Sequence, residues 1–211
     1  MRHLGSIGSA FFLDCGANFG FWTARVLTKE FGEHEALAVE ASQTTFEILR
    51  TNLGSDVTLF SAVAKKVGRV YFDNTKPHAA RCISPSGASS VPAVTIDSLT
   101  AMKERIIIKL DVEGAEAEAL AGSQETLKRA DVALLYEDHG ADYKHATTTA
   151  MLASGLRIYN VLADGSVSHL HGLGELRQIK KESSIGYNFV AVKVDGAYDL
   201  RLSELARETK L

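Results

Sequence analysis

Cysteine is scarce in this chain: there are two among 211 residues, Cys15 within an apolar run and Cys82 in a polar stretch. That sets aside a disulfide framework, and a reducing, cytoplasmic setting is expected. A basic excess is also missing. The net charge of −3 and the isoelectric point near 6.2 speak against a protein whose main task is to wrap nucleic acid. No apolar run approaches the ~18 residues that a membrane-spanning helix needs. Residues Met1 to Ser9 hold no uninterrupted apolar segment of signal-peptide length, so neither a membrane span nor secretion is expected. Internal repeats and domain boundaries are absent as well, and residues 1–211 are read as a single domain. With 45% hydrophobic and 23% charged residues, a chain of this size buries roughly 70% of its unfolded surface and needs no metal to hold it together.

What is present is an alternation of strand and helix signals. Ala10-Phe11-Phe12-Leu13 is a continuous apolar run ending in Asp14-Cys15-Gly16, as a central parallel strand covered on both faces requires. Phe21, Ala24, Val26 and Leu27 mark the apolar side of a following helix. Ala36 to Glu40 reads as a second strand and Phe46, Leu49 and Leu53 as a second helix closed by Gly54. Val57 to Phe60 is a third strand, and Val67 to Phe72 an extra hairpin or edge segment. Residues 73–90 have no period of either kind and are a candidate lid. Val91 to Ile96 reads as a short strand. Ile106 to Asp111 is the clearest strand, Gly114 to Lys128 a helix, and Val132 to Glu137 the next parallel strand. A helix over 143–154, a strand from Arg157, a turn at Asp164-Gly165, a last strand from Asn188 to Val194 and a tail over 196–211 complete the reading. Such a rhythm predicts an α/β, Rossmann-like fold with helices on both faces of a mostly parallel sheet.

Ligands of an open parallel sheet sit outside the carboxyl ends of its strands. Here those ends carry Asp14 to Gly20, Glu40, Ser61-Ala62, Asp111 to Gly114 and Glu137-Asp138-His139. The first of these is not a G-x-G-x-x-G fingerprint. Asn18 stands where the second glycine would let a pyrophosphate approach, so a ligand without phosphates fits better than a nicotinamide dinucleotide. Glu40 is placed to accept hydrogen bonds from both hydroxyls of a ribose, with a helix-capping acid as the plain alternative. S-adenosylmethionine has a ribose, no phosphate, and positive charges that suit an acidic crevice.

Leu13-Asp14-Cys15-Gly16-Ala17-Asn18-Phe19-Gly20, Val39-Glu40-Ala41, Thr95-Ile96-Asp97-Ser98-Leu99 and above all Ile108-Lys109-Leu110-Asp111-Val112-Glu113-Gly114-Ala115-Glu116 resemble the motifs of FkbM-type methyltransferases. The resemblance runs from about residue 11 to 140. It implies a seven-stranded sheet with the last strand antiparallel, S-adenosylmethionine as methyl donor with S-adenosylhomocysteine as product, and O-methylation of hydroxyls on polyketides, sugars or similar metabolites. The expected cofactor-binding residues are Asp14, Gly16, Ala17, Asn18, Gly20, Glu40, Ala41, Ser61, Ala62, Asp111 and Glu113. Because the chain starts almost directly at its first strand, it is expected to lack the N-terminal segment that often covers the acceptor.

Methyl transfer to a hydroxyl needs a positioned acceptor and a group that removes its proton. His139 is the first candidate base, because an unperturbed imidazole titrates near neutrality. Asp111 and Glu137 are the other catalytic candidates, and Lys109, on the same strand face as Asp111, is read as its ion-pair partner. Acids near Gly114 can also cap the next helix. His169 and His171 lack a third ligand and are read as part of an exposed hairpin rather than a metal site. Cys15 is taken as a buried structural thiol, and Phe21 and Trp22 as core or cleft-wall aromatics. The partner is a small-molecule acceptor. Two readings stay open beside it: a methyltransferase acting on nitrogen or on a macromolecule, RNA or protein, although Glu137-Asp138-His139-Gly140 is not the Asn/Asp-Pro-Pro-Tyr type signature of base-amine methylation, and a non-catalytic nucleotide-binding module.

Overall fold

In the computed structural model, which describes residues 4, 7–31, 34–72, 89–112, 114–162, 164–184 and 186–208, the unbroken apolar runs become the middle of a twisted sheet. The strands are β1 (Phe11–Cys15), β2 (Glu35–Glu40), β3 (Thr58–Phe60), β4 (Ala62–Val63), β5 (Gly68–Phe72), β6 (Ser89–Val94), β7 (Arg105–Leu110), β8 (Asp131–His139), β9 (Leu156–Val161), β10 (Val167–Leu170) and β11 (Gly186–Lys193). The main sheet has the order β10-β9-β11-β8-β7-β1-β2-β3. Its strands β8, β7, β1, β2 and β3 run parallel, while β11 inserts antiparallel between β8 and β9. The order reverses at β1, which pairs β2 on one side and β7 on the other. Ligand crevices form at such a point.

Three differences from the sequence reading have local causes. The sheet has eight strands, not seven, because the Asp164-Gly165 turn folds β10 back antiparallel onto β9; Asp164 accepts the Ser166 N–H at 2.9 Å to hold that turn. The helix read over Gly114 to Lys128 is two helices, Glu116–Ala121 and Gln124–Arg129. Asp97 supplies the new start between them by accepting the N–H groups of Glu125 and Thr126 at 3.2 and 2.7 Å, a cap that satisfies donors an uninterrupted helix would not expose. The strand expected to stop at Glu137 runs on to His139, because β11 pairs beside it as far as Gly186 opposite His139. The segment over 67–72 does form an edge strand: β5 joins β4 and β6 in a separate sheet of order β4-β6-β5. Of the candidate lid over 73–90, residues 73–88 lie outside the described residues, and so does Cys82.

Strand alternation divides the core. One face carries Leu13, Cys15, Ile106, Ile108, Leu110 and Leu134, packed with Leu120, Met151 and Leu176 from the covering helices. The other carries Phe12, Ile107, Ala133, Val190 and Val192. It is covered by α1 (Phe21–Val26) through Val26 and by the helix Ala197–Glu208 through Tyr198 and Leu202. Ile106, Ile107 and Ile108 are wholly buried, each contributing about 1.5–3 kcal/mol relative to an exposed side chain. Beyond β2, α2 (Gln43–Leu53) lays Leu49 on Ala17 and Ala38, under the first strand-end loop. Among the described residues no helix is long and apolar enough to cross a membrane.

Candidate functional site

The loop after β1 is built for closeness. Gly16 has φ +76°, and a Cβ there would lie 1.9 Å from the backbone oxygen of Asp111. The loop is thus pressed onto the end of β7, with the Asp111 N–H donating to the Cys15 carbonyl at 3.1 Å. Gly20 has φ +86°, and a Cβ would meet Leu53 and Leu49 at 2.7 and 2.8 Å. Asn18, between them, has φ 52°, the left-handed region that asparagine tolerates better than most residues. The absent second glycine is therefore replaced by the residue type best able to keep the same backbone turn.

Glu40 fastens this loop to β2. One carboxylate oxygen accepts the Asn18 N–H at 2.9 Å and the other the Ser42 N–H at 2.8 Å. A carboxylate has roughly four acceptor positions, so two remain for a ligand with a pair of neighbouring hydroxyls. Ala41 is half-buried. Ser61 and Ala62 are buried, and the Ser61 N–H donates to the Glu40 carbonyl at 3.1 Å, which places them behind the end of β2. Ala17 is also buried, against Leu49.

Asp14 lies beneath the loop, wholly buried. It accepts the Thr23 hydroxyl at 2.8 Å on one oxygen, while the other has no hydrogen-bond partner and sits 3.7 Å from the Lys109 ammonium. Burial raises its carboxyl above the ordinary value, against the pull of Lys109 and Thr23. Lys109 Nζ also donates to Asp111 at 3.0 Å and to the Gly16 carbonyl at 3.3 Å. The ion pair read from strand alternation is thus present, and it extends to the loop in a way the sequence did not indicate. Glu116, quoted in the long motif without a role, accepts the Val112 and Gly114 N–H groups at 3.2 and 3.1 Å and shapes the turn. Glu113 lies outside the described residues.

Glu137 and His139 alternate onto the Asp14 and Lys109 face of the sheet and are exposed at the end of β8. The Glu137 carboxyl is raised, first by partial burial and then by the charges of Asp111 and Glu116, with His139 and Lys109 opposing. One electrostatic group therefore gathers Asp111, Glu116, Glu137, His139 and Lys109. His139 Nδ1 accepts the Ala141 N–H at 3.1 Å, leaving Nε2 as its outward nitrogen.

Other sequence-marked residues lie apart from this group or at its rim. Phe21 and Trp22 are not core residues: they are 69% and 40% exposed, meeting edge to face at 6.1 Å on the first turn of α1, just after the loop. The His169 and His171 rings meet edge to face with centroids 4.3 Å apart, and no metal-ligating group of three occurs among the described residues. Cys15 is buried, and burial pushes its thiol up, as an inert structural thiol requires. Two surface hollows of about 710 and 560 Å³ share Met102, Glu104 and Asp131. They open at the amino-terminal edge of the sheet, away from every strand end described above.

The sequence pattern of the methyltransferase FkbM domain matches residues 14–170, well over half of the chain. No curated protein matches. Among solved structures, a methyltransferase FkbM from Methylobacillus flagellatus KT superposes with TM-score 0.53 at 16% identity, over 87% of this chain and 43% of that one. The present chain thus spans less than half the length of that relative. An S-adenosylmethionine-dependent methyltransferase described as putative, from Listeria monocytogenes, gives TM-score 0.48 at 11% identity, over 90% of this chain and 92% of that one. The fold likeness rests on the first of these.

Proposed function

The chain belongs to the FkbM domain family of S-adenosylmethionine-dependent methyltransferases, and from that premise we propose that it methylates a hydroxyl on a small-molecule acceptor. The observation that carries the reading is the carboxylate of Glu40, tied to Asn18 and Ser42 with two acceptor positions to spare. It stands beside a loop whose glycines let the backbone press onto the end of β7 and onto α2.

When bound, S-adenosylmethionine supplies a methyl group already activated by its positive sulfonium. Glu40 would hold the ribose, and the backbone of Gly16, Ala17, Asn18 and Gly20 would line the amino-acid end. Asp14 and Asp111 offset positive charge there, with Lys109 between them fixing their separation. The remaining task is deprotonation of the acceptor. Glu137 suits it: partial burial and the neighbouring Asp111 hold its carboxyl above the usual carboxylate range, which makes it a stronger base than an ordinary glutamate at neutral pH. His139, on the same strand face with Nε2 outward, is next in line for the proton. Nothing in this scheme requires a metal ion.

Calorimetric titration with S-adenosylmethionine and S-adenosylhomocysteine, with NAD as control, tests the donor. A panel of hydroxylated metabolites with labelled methyl donor tests the acceptor. Glu137→Gln is expected to slow methyl transfer by about 10²–10⁴-fold and leave S-adenosylhomocysteine affinity unchanged. Binding of NAD alone would remove the donor assignment. Transfer only to amines, RNA or protein would remove the hydroxyl acceptor while keeping the donor.

A further inference from the structure

Directly behind Glu137 and His139, on the opposite face of β8, lies a buried charged network. Asp138 and Lys180 form an ion pair with side chains 0% and 2% exposed. Lys180 Nζ also donates to the Asp142 carbonyl at 2.9 Å and faces His145 Nδ1 at 3.0 Å. The second Asp138 oxygen accepts the Thr148 hydroxyl, which meets the Tyr136 hydroxyl at 3.1 Å. A buried ion pair is a weak source of net stability but a strong directional tie, because either partner left alone is a desolvated charge. Here it ties three segments together: the end of β8, the turn over 139–145, and the stretch after the helix Leu173–Ile179.

That same stretch also reaches the front of the strand. The Tyr187 hydroxyl accepts the N–H groups of Lys181 and Glu182 at 3.1 and 3.0 Å, closing the turn that leads into β11. Gly186 then pairs with His139. A Cβ at Gly186 would stand 1.9 Å from one Glu137 carboxylate oxygen and 2.0 Å from its carboxyl carbon. No unusual backbone angle calls for a glycine at this position; the space does. The Glu137 carboxylate lies in the volume that any other residue would fill.

We propose that Lys180 and Gly186 are positioning residues for the acceptor's base: Lys180 anchors the end of β8 from behind, and Gly186 leaves room in front for the Glu137 carboxylate to lie. Both fall outside residues 14–170. The inference rests on the reading of Glu137 as the base, and its test does not depend on finding the acceptor.

The test uses the 211-residue chain labelled with carboxyl-¹³C glutamate, the Glu137 resonance being identified by its loss in Glu137→Gln. In the wild type the carboxyl midpoint should lie above that of an ordinary glutamate, with Asp111, Glu116, His139 and Lys109 as the charged groups that face it. Gly186→Ala pushes the carboxylate toward solvent, and its midpoint should fall toward the ordinary value while S-adenosylhomocysteine affinity stays within about twofold. Lys180→Met should move the same resonance, and adding Asp138→Asn should restore much of the lost melting temperature, because the lone buried charge is removed. Once an acceptor is identified, Gly186→Ala should lower kcat by about 100-fold, the scale of an ångström-level misplacement, with KM for the donor unchanged. An unmoved Glu137 resonance in folded Gly186→Ala and Lys180→Met proteins would overturn the proposal. So would equal weakening of S-adenosylhomocysteine binding, which would mark a general disturbance of the fold. Failure of the wild type to bind S-adenosylhomocysteine would instead sink the function proposed above and leave the titration result standing by itself.

Discussion

Replacing Glu40 with alanine separates donor recognition from folding. The carboxylate holds the N–H groups of Asn18 and Ser42 at 2.9 and 2.8 Å, and the two remaining acceptor positions are those assigned to the ribose. Two hydrogen bonds to a charged acceptor at about 1.5 kcal/mol each give about 3 kcal/mol, a weakening of S-adenosylhomocysteine by about 150-fold. The folded protein loses less. The Asn18 N–H is exposed and the Ser42 N–H, at the start of α2, is part-buried, so water replaces much of the carboxylate and about 0.5–1 kcal/mol each is lost, a drop of a few degrees in Tm for a chain of this size. Glu40→Gln should fall between, since its amide keeps one accepting oxygen but turns an NH₂ toward a backbone donor. Calorimetry with S-adenosylhomocysteine reads the affinity without turnover, and a thermal melt reads the loop. Binding by Glu40→Ala within threefold of wild type would refute the placement of the ribose at the end of β2. A collapse of Tm in step with the affinity would show that Glu40 only holds the loop.

Asp14 provides a pH test. Its carboxyl is raised by burial, so between the ordinary value and the raised one the folded chain holds a proton that the unfolded chain has lost, and stability falls as pH rises through that window. Asp14→Asn keeps an acceptor for Thr23 and has no proton to lose. Urea midpoints measured across that window should therefore shift in favour of the variant as pH increases; a constant or reversed difference would contradict the burial argument. At Asn18, with φ 52°, glycine should be tolerated with little change in stability, whereas valine should cost about 1–2 kcal/mol from the backbone alone, as read by denaturant titration. Gly16→Ala sets a Cβ 1.9 Å from the Asp111 oxygen and should abolish S-adenosylhomocysteine binding; retained binding would show that the loop and the end of β7 part easily.

Much of the framework was legible because it depends on local pattern. Apolar, β-branched runs such as Ile106-Ile107-Ile108 read as buried strands, and the acids that end them mark the ligand edge. Strand alternation alone put Lys109 beside Asp111. What was misread depends in part on partners distant in sequence. The helix after β7 breaks at Gly122-Ser123, a local stop and start signal that the reading passed over, while Asp97, the acid that caps Gln124–Arg129, lies outside residues 114–128. The eighth strand follows from a turn that was seen, but its place at the sheet edge is set by pairing with β9. Of the two places read for Phe21 and Trp22, core or cleft wall, only the core is excluded: the burial of Thr23 on Asp14 and of Val26 on the sheet turns them outward.

The candidate base shows why strand-end reading reaches the residues of a site before it reaches their geometry. Sequence alone ranks His139 above Glu137, because an isolated imidazole titrates nearer neutrality than an isolated carboxyl. In the folded chain the surroundings of the two differ. Partial burial together with Asp111 and Glu116 raises the Glu137 carboxyl, while His139 spends Nδ1 on the Ala141 N–H. The charges responsible, Asp111 and Glu116, come from the turn after β7 and the start of the helix Glu116–Ala121, and no spacing within Glu137-Asp138-His139 encodes them. Asp138 shows the same dependence. Between two exposed residues it looks like a third surface acid, yet alternation turns it inward, where an uncompensated carboxylate would cost several kcal/mol. Its partner is Lys180, 42 residues away. The strand end can therefore present Glu137 in one orientation only if the chain returns from the far side of the sheet to supply that cation and, six residues later, a glycine.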